Sequence, residues 1–267
     1  MCTSIGNSAF YYCTALTSAY FLGSTYITLS NSNAFHNTPM SLSTYTDTFG
    51  SIYVPDTMLA SYKTRANWSY YSNRLVGVPV LYTSETTITA NTYQSASYWG
   101  VYGSQCTVIE TEAFRDCELL TTAYFSKCTE VQAGAFSKCS TLNCVYFPSC
   151  TNISTYAFNR CSALTCVDLP NCLSIGQYGF TSCKSLIYVN LPKCETIDTR
   201  TFAACSALTA VSIPACITIT HGFDGCTALT TIDLPACTTL VSGGFTRCTS
   251  LSTVNAPACI QIGEGGF

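Results

Sequence analysis

The sequence predicts a mainly β protein, a solenoid in which short parallel strands stack from coil to coil. The first observation behind this prediction is a phenylalanine and cysteine pattern that returns about every 22 residues. The second is a composition with 48% hydrophobic but only 9% charged residues, which suits a regular, mostly stacked structure. The third is a short insertion at helical spacing, which predicts a helical cap within the solenoid.

Each coil begins with a phenylalanine that is followed three positions later by a cysteine. One coil reads F-x-x-C-x-x-L-x-x-V-x-L-P-x-C-x-x-I, and the step is 22 residues except for one step of 21. Such a period is too short for a pair of helices and suits one coil containing a strand. The marker residues are Phe114, Phe136, Phe158, Phe180, Phe202, Phe223, Phe245 and Phe267.

The segment L-x-x-V-x-L is the predicted strand of each coil. In the third coil, Leu164, Val167 and Leu169 would point inward. Pro170 marks the end of the strand because proline cannot donate a ladder hydrogen bond. Successive strands would lie about 4.8 Å apart, so that equivalent residues form columns.

Cysteine fills two of these columns, one after the phenylalanine and one after the proline. The favoured interpretation is reduced cysteine acting as a small apolar core residue, which implies a reducing or oxygen-free setting. A disulfide framework is the alternative, although parallel Cβ directions suit the bond poorly. Zinc is disfavoured because no C-x-x-C pair exists, and no metal or cofactor is predicted.

Cys144 and Cys166 lie outside the two columns and are 22 residues apart. Both fall at outward positions of neighbouring strands, where packing does not require cysteine. They form a predicted exposed thiol pair, either reactive or joined in a local disulfide. Coincidence between neighbouring repeats is the alternative.

The chain divides into three predicted segments. Residues 1–78 form a short repeat block, in which Phe49, Ile52 and Val54 match the strand pattern, and which is closed by a helical cap at 56–78. Residues 79–103 form a connector with short strands, and residues 104–267 form a seven-coil array. Asp56 is the predicted helix N-cap. The cap's apolar positions are Met58, Leu59, Tyr62, Trp68, Tyr71 and Leu75.

The repeat F-x-x-C-x-x-L-x-x-V-x-L-P, together with "SIGQYGF" and "QIGEGGF", resembles the BspA-type leucine-rich repeat family. The resemblance covers residues 104–267 well and 1–55 more loosely. It implies a leucine-rich-repeat fold and an extracellular or cell-surface location, since the family is known from surface proteins that bind host proteins or other cells, with related arrays in gut-phage proteins. The cysteine after proline is a variation on the family pattern.

Several classes of function are disfavoured. A net charge of −3 offers no basic face for nucleic acid, and no apolar run reaches the roughly 20 residues of a membrane span. Two distant histidines, His36 and His221, and the absence of hydrolase or phosphate-loop motifs argue against an enzyme, so no catalytic residue is proposed. The start shows no secretion signal, and both ends fall in mid-repeat, so we expect a piece of a longer protein.

The outward strand positions give the candidate binding face. Tyrosine supplies apolar area with a polar tip at low entropic cost, and Asp or Asn beside it supplies hydrogen bonds to a peptide or sugar. The alternative is that these columns only hold neighbouring strands together. The candidate residues are Tyr124, Tyr146, Asp168, Tyr188, Asn190, Asp233 and Asn255.

Three functions compete on this sequence. The first is a recognition or adhesion module that binds a protein or carbohydrate on a cell surface or phage fibre. The second is a structural protein whose copies assemble end to end into an extracellular filament. The cap-like insertion argues against simple continuous stacking, and an enzyme is the least favoured class.

Overall fold

The computed structural model describes residues 2–41 and 51–267, so the predicted strand residue Phe49 lies outside the described part. The chain forms two compact units, Met1–Tyr82 and Thr83–Phe267. In the described ranges, no helix combines the length and the apolar character that crossing a membrane requires.

The first unit contains short parallel strands. Strands β1 (Ser4–Ile5) and β3 (Thr28–Leu29) form one pair. A second sheet has the order β2 (Ser18–Tyr20), β4 (Ser51–Pro55) and β5 (Leu75–Val78), with all pairs parallel. Strand β6 (Val80–Thr83) lies at the boundary between the two units.

The predicted helical cap is only partly helical. Helix α1 spans Asp56–Thr64 and a 3-10 helix spans Ser69–Arg74, but β5 is a strand that pairs along the edge of β4. Strand β5 therefore extends the sheet by one strand, with Leu75 and Val78 buried, and α1 packs against both β4 and β5. The helix N-cap is Pro55 rather than Asp56, since α1 follows directly on β4.

The aromatic side chains of the cap lie in the core of this unit, as predicted. Tyr62, Trp68 and Tyr71 are almost fully buried. The Trp68 Nε1 donates to the Ile27 carbonyl at 2.6 Å, and the Tyr62 hydroxyl accepts from the Ile27 amide at 3.0 Å. These polar tips satisfy backbone groups of the strand layer, which explains why large aromatic residues with polar atoms can be buried here.

The second unit is a solenoid of parallel coils with two sheets, as the sequence predicts for its fold class. One sheet position carries β8 (Gly100–Gly103), β10 (Thr122–Tyr124), β12 (Cys144–Tyr146), β14 (Cys166–Asp168), β16 (Tyr188–Asn190), β18 (Ala210–Ser212), β20 (Thr231–Asp233) and β22 (Thr253–Asn255). The other carries β7 (Thr87–Ile88), β9 (Val108–Ile109), β11 (Glu130–Val131), β13 (Asn152–Ile153), β15 (Ser174–Ile175), β17 (Thr196–Ile197), β19 (Thr218–Ile219), β21 (Thr239–Leu240) and β23 (Gln261–Ile262).

The two sheets differ in continuity. The two-residue strands β7 to β23 form one sheet of nine parallel strands. The longer strands, β8 to β22 in even numbers, are divided by breaks between β12 and β14 and between β18 and β20. The sequence pattern predicts only the longer strands, because two residues are too few for a period-2 pattern.

The coils begin before residue 104, which corrects the predicted connector at 79–103. Strand β7 pairs with β9, and β8 pairs with β10 in the register of the later coils. Tyr93 stacks on Phe114 at 5.3 Å and so takes the place of the marker phenylalanine. Ala96 occupies the position of the expected cysteine. Because both residues of the F-x-x-C motif are replaced, the motif does not identify this coil in the sequence.

Phenylalanine forms the central column of the solenoid. Phe136, for example, is fully buried and stacks on Phe114 at 5.1 Å and on Phe158 at 5.2 Å. Stacked ring contacts of 5.0 to 5.6 Å continue along the column to Phe267. The inward residues Leu164, Val167 and most of their equivalents complete the core, which confirms the predicted direction of the strand side chains, whereas Val254 in the last coil is partly exposed.

Candidate binding surface

The outward side chains of the even-numbered strands from β10 to β22 form a surface that we call the strand face. The odd-numbered strands between them belong to the nine-stranded sheet and are not part of the strand face. Within each run of paired strands the residues follow the predicted columns, because the paired strands are in register. Tyr146 is 45% exposed and Tyr188 is 40% exposed. The strand face is therefore accessible at the predicted positions.

A ladder of tyrosine rings occupies one end of the strand face. Tyr124 and Tyr146 stack with ring centroids 4.5 Å apart and an interplanar angle of 12°. Tyr102 continues the ladder, at 5.8 Å from Tyr124. Burial raises the pKa of Tyr102 to about 12, so its hydroxyl stays protonated at neutral pH. Sequence analysis missed Tyr102 because it lies in the coil that was assigned to the connector.

Asp and Asn side chains pair across neighbouring coils further along. The Asn190 amide donates to Asp168 at 2.8 Å, and the Asn255 amide donates to Asp233 at 2.7 Å. Each pair holds a carboxylate in place on an exposed surface without neutralising it. These hydrogen bonds also tie neighbouring coils together, so both interpretations of the columns remain open.

The predicted site residues form separate groups rather than one cluster. The tyrosine ladder and the Asp168–Asn190 pair lie on either side of the break between β12 and β14. Tyr188 lies opposite Cys166 in the register, and the Asp233–Asn255 pair lies beyond the second break. The strand face is thus an extended surface rather than a pocket.

The column cysteines are free thiols that are mostly buried, as all nineteen cysteines are unpaired. In the second unit, each thiol of the column after phenylalanine donates to a carbonyl of the preceding coil. Cys161 Sγ, for example, lies 3.1 Å from the Phe136 carbonyl oxygen. Cysteine thus combines a small apolar volume with a weak donor, a role that the sequence analysis did not foresee.

Cys144 and Cys166 are exposed free thiols, as predicted for cysteines at outward positions. Partial desolvation by the surrounding atoms, with a further contribution from the neighbouring Cys166, raises the pKa of Cys144 although its side chain reaches solvent. A raised pKa lowers the thiolate fraction at neutral pH, so the structure gives Cys144 accessibility but no activation. Whether the two thiols act as a pair stays a prediction.

Alkylation of the reduced, folded protein should label four cysteines first. The exposed cysteines are Cys2, Cys13, Cys144 and Cys166. The other cysteines from Cys106 to Cys237 are buried, so they need local opening of the structure to react. Brief treatment with iodoacetamide followed by peptide mass spectrometry measures the order, and unfolded protein is the control. Equal labelling of Cys161 and Cys166 in the folded protein would contradict this expectation.

The described residues contain no group of three or more His, Cys, Asp or Glu side chains that could hold a metal ion. His36 stacks on Tyr11 at 5.5 Å. His221 lies in a turn with a φ of 47°. His36 lies in the first unit and His221 in the second.

A solenoid whose coils of about 22 residues each carry a short parallel strand with an L-x-x-V-x-L pattern has the features of leucine-rich-repeat proteins. The chain belongs to the BspA type leucine rich repeat family, whose model matches six copies in residues 1–55, 107–222 and 195–267. Among proteins with curated descriptions, none matches this sequence.

Solved structures of bacterial leucine-rich-repeat proteins resemble the chain. A leucine-rich repeat protein from Eubacterium ventriosum is 20% identical, with a TM-score of 0.52, over 99% of this chain and 79% of that chain. A leucine rich cell surface protein from Faecalibacterium prausnitzii is 18% identical, with a TM-score of 0.44, over 96% of this chain and 83% of that chain. The first of these likenesses supports the fold.

Proposed function

We propose that the chain is a non-enzymatic recognition module of a bacterial-type surface protein, and that its strand face binds a protein partner. Family membership supports this class, because arrays of such repeats present extended faces to partners. An extracellular or cell-surface location is part of the same proposal. The observation that carries it is the tyrosine ladder with exposed ring edges.

The ladder is well suited to recognition because its rings are already ordered. Tyr124 and Tyr146 hold each other in a stacked arrangement, so binding costs little further side-chain entropy. Their hydroxyls and the oriented carboxylate of Asp168 add directional contacts. A broad surface with rigid aromatic residues and separate polar pairs fits a protein better than a small ligand, which usually needs a concave pocket.

Replacing both Tyr146 and Tyr188 with alanine should reduce binding of cells to the immobilised chain by about tenfold or more, the effect of losing 1.4 kcal/mol. The measurement is the number of bacterial or epithelial cells held on protein-coated beads. The matched control replaces Thr196 and Thr218 with alanine in the nine-stranded sheet, where both are outward residues of β17 and β19.

Pretreatment of the cells separates the two kinds of ligand. Protease treatment should abolish binding, whereas glycosidase treatment should leave it, if the partner is a protein. If the variant with alanine at Tyr146 and Tyr188 bound cells as well as the wild type does, the strand face would be excluded as the binding site. The same result for both pretreatments would contradict the assignment to protein.

End-to-end assembly into an extracellular filament is the second candidate. The register is constant from coil to coil, so a solenoid edge has the hydrogen-bonding pattern to continue in another copy. Against it, β5 and α1 cover the edge of β4 in the first unit. Light scattering of the reduced protein over a range of concentrations separates the candidates, since only assembly makes the mass depend on concentration.

A further inference from the structure

One residue per coil, two positions before the marker phenylalanine, forms a column with left-handed backbone. The φ angles are 63° at Gly134, 60° at Tyr156 and 60° at Tyr178. Glycine adopts this conformation without strain, whereas a residue with a Cβ atom does so at a cost. Glu112, Arg200 and His221 adopt the same conformation, so it belongs to the repeat, and the feature particular to Tyr156 and Tyr178 is that two tyrosines occupy it in neighbouring coils.

The rings of Tyr156 and Tyr178 stack with centroids 4.7 Å apart and an interplanar angle of 10°. The guanidinium of Arg200 lies 5.9 Å from the Tyr178 ring centroid and extends the stack by one more coil. One face of Tyr156 is covered by this stack. The side chain is still 43% exposed, because its other neighbour in the column is Gly134.

The absence of a side chain at residue 134 produces a slot in the column, which we call the turn slot. It is lined by Gly134 and Tyr156 together with Glu112, Arg115, Lys138 and Asn159. Glu112 leans over the far side, with its Cγ 3.3 Å from the place of a Cβ on residue 134. Coils repeat at about 4.8 Å, so the missing side chain opens one layer of the column beside Tyr156, and Glu112 narrows that layer from the far side.

The charges around the turn slot balance one another. Arg115 contacts Glu112 at 2.5 Å and Asp116 at 3.3 Å, and Lys138 contacts Asp116 at 3.5 Å. Two positive and two negative side chains leave no net charge to attract an ion. They do leave carboxylate acceptors and ammonium, guanidinium and amide donors, which suit a neutral ligand with several hydroxyl groups.

We propose that the turn slot binds a neutral pyranose ring of a carbohydrate. The apolar face of the sugar would lie on the free face of Tyr156, in the layer of Gly134, and so continue the ring stack. Its hydroxyls would hydrogen-bond to Glu112, Lys138 and Asn159 at the walls. The turn slot shares no residue with the strand face, so this proposal does not rest on the proposed protein binding.

Saturation-transfer NMR with methyl glycosides of glucose, galactose, mannose and N-acetylglucosamine tests the proposal. Gly134→Tyr is the blocking variant, because a third ring would fill the layer, and tyrosine already occupies the same backbone conformation at residues 156 and 178. Gly265→Tyr is its matched control. Gly265 has the same φ of 63°, and a Cβ there would meet nothing within 4 Å.

The expected result is saturation transfer to at least one of the four glycosides, with binding weakened by about tenfold or more in Gly134→Tyr and in Tyr156→Ala. Gly265→Tyr should bind as the wild type does. The proposal is overturned if none of the four glycosides gives a signal, or if Gly134→Tyr binds unchanged. Tighter binding of methyl glucuronide than of the neutral sugars would overturn the assignment to a neutral ring.

Discussion

Replacing Phe136 with alanine is expected to lower the free energy of unfolding by about 3–5 kcal/mol, a large part of the 5–15 kcal/mol of a typical protein. The side chain is fully buried and stacks on Phe114 and Phe158 in the two adjacent coils. Alanine would remove both stacking contacts and leave a cavity, since stacked backbones cannot close in on it.

Urea denaturation followed by circular dichroism measures this effect. Ile187→Ala is the control, because Ile187 is 51% exposed and its loss should cost little. Phe136→Leu should lie between the two variants, since it keeps apolar volume but loses the stack. A loss below about 1 kcal/mol for Phe136→Ala would show that the phenylalanine column does not hold the coils together.

The second large effect is destabilisation at alkaline pH. Burial is the main cause that raises the pKa of Cys150 and of Cys216 from the ordinary value of 9.0 to about 12. For an acid whose pKa is raised by folding, the contribution of that group to the free energy of unfolding is fully present below the unfolded pKa, here about pH 9. It is then lost as the pH rises towards 12, because only the unfolded state releases the proton.

The slope can be stated for these two thiols. Each contributes a loss of about 1.4 kcal/mol per pH unit between pH 9 and 12, so together they contribute about 3 kcal/mol per unit. Urea denaturation under nitrogen with a phosphine reductant, repeated at several pH values, measures it. The Cys150→Ala/Cys216→Ala double variant should have a shallower slope by that amount, and an equal slope would refute the expectation.

The fold was predictable because the residue positions that recur in every repeat are the ones whose side chains form the core. Phe158, Leu164 and Val167 have the same neighbours in every coil, so their pattern is preserved in the sequence. The coil containing Tyr93 was missed because a tyrosine can stack in the phenylalanine column as well. Packing accepts such substitutions, whereas a sequence pattern does not.

The candidate site was predictable in its positions but not in its interactions. Alternation along the strands placed Tyr146 and Tyr188 outward, and the structure shows both exposed. The hydrogen bond between Asn190 and Asp168 depends on side-chain rotamers that no period encodes. The turn slot was missed because its residues lie in the turn of the coil rather than in a strand, and because it depends on the absence of a side chain at Gly134.

The constant register between coils has a consequence for the evolution of the molecule. Inward contacts in the second unit run from one coil to the next, as the stacks of Phe136 and Phe158 show. A whole coil of 22 residues could therefore be gained or lost by duplication or deletion without disturbing the others. The length of the strand face would then change in equal steps of about 4.8 Å, one step for each coil gained or lost.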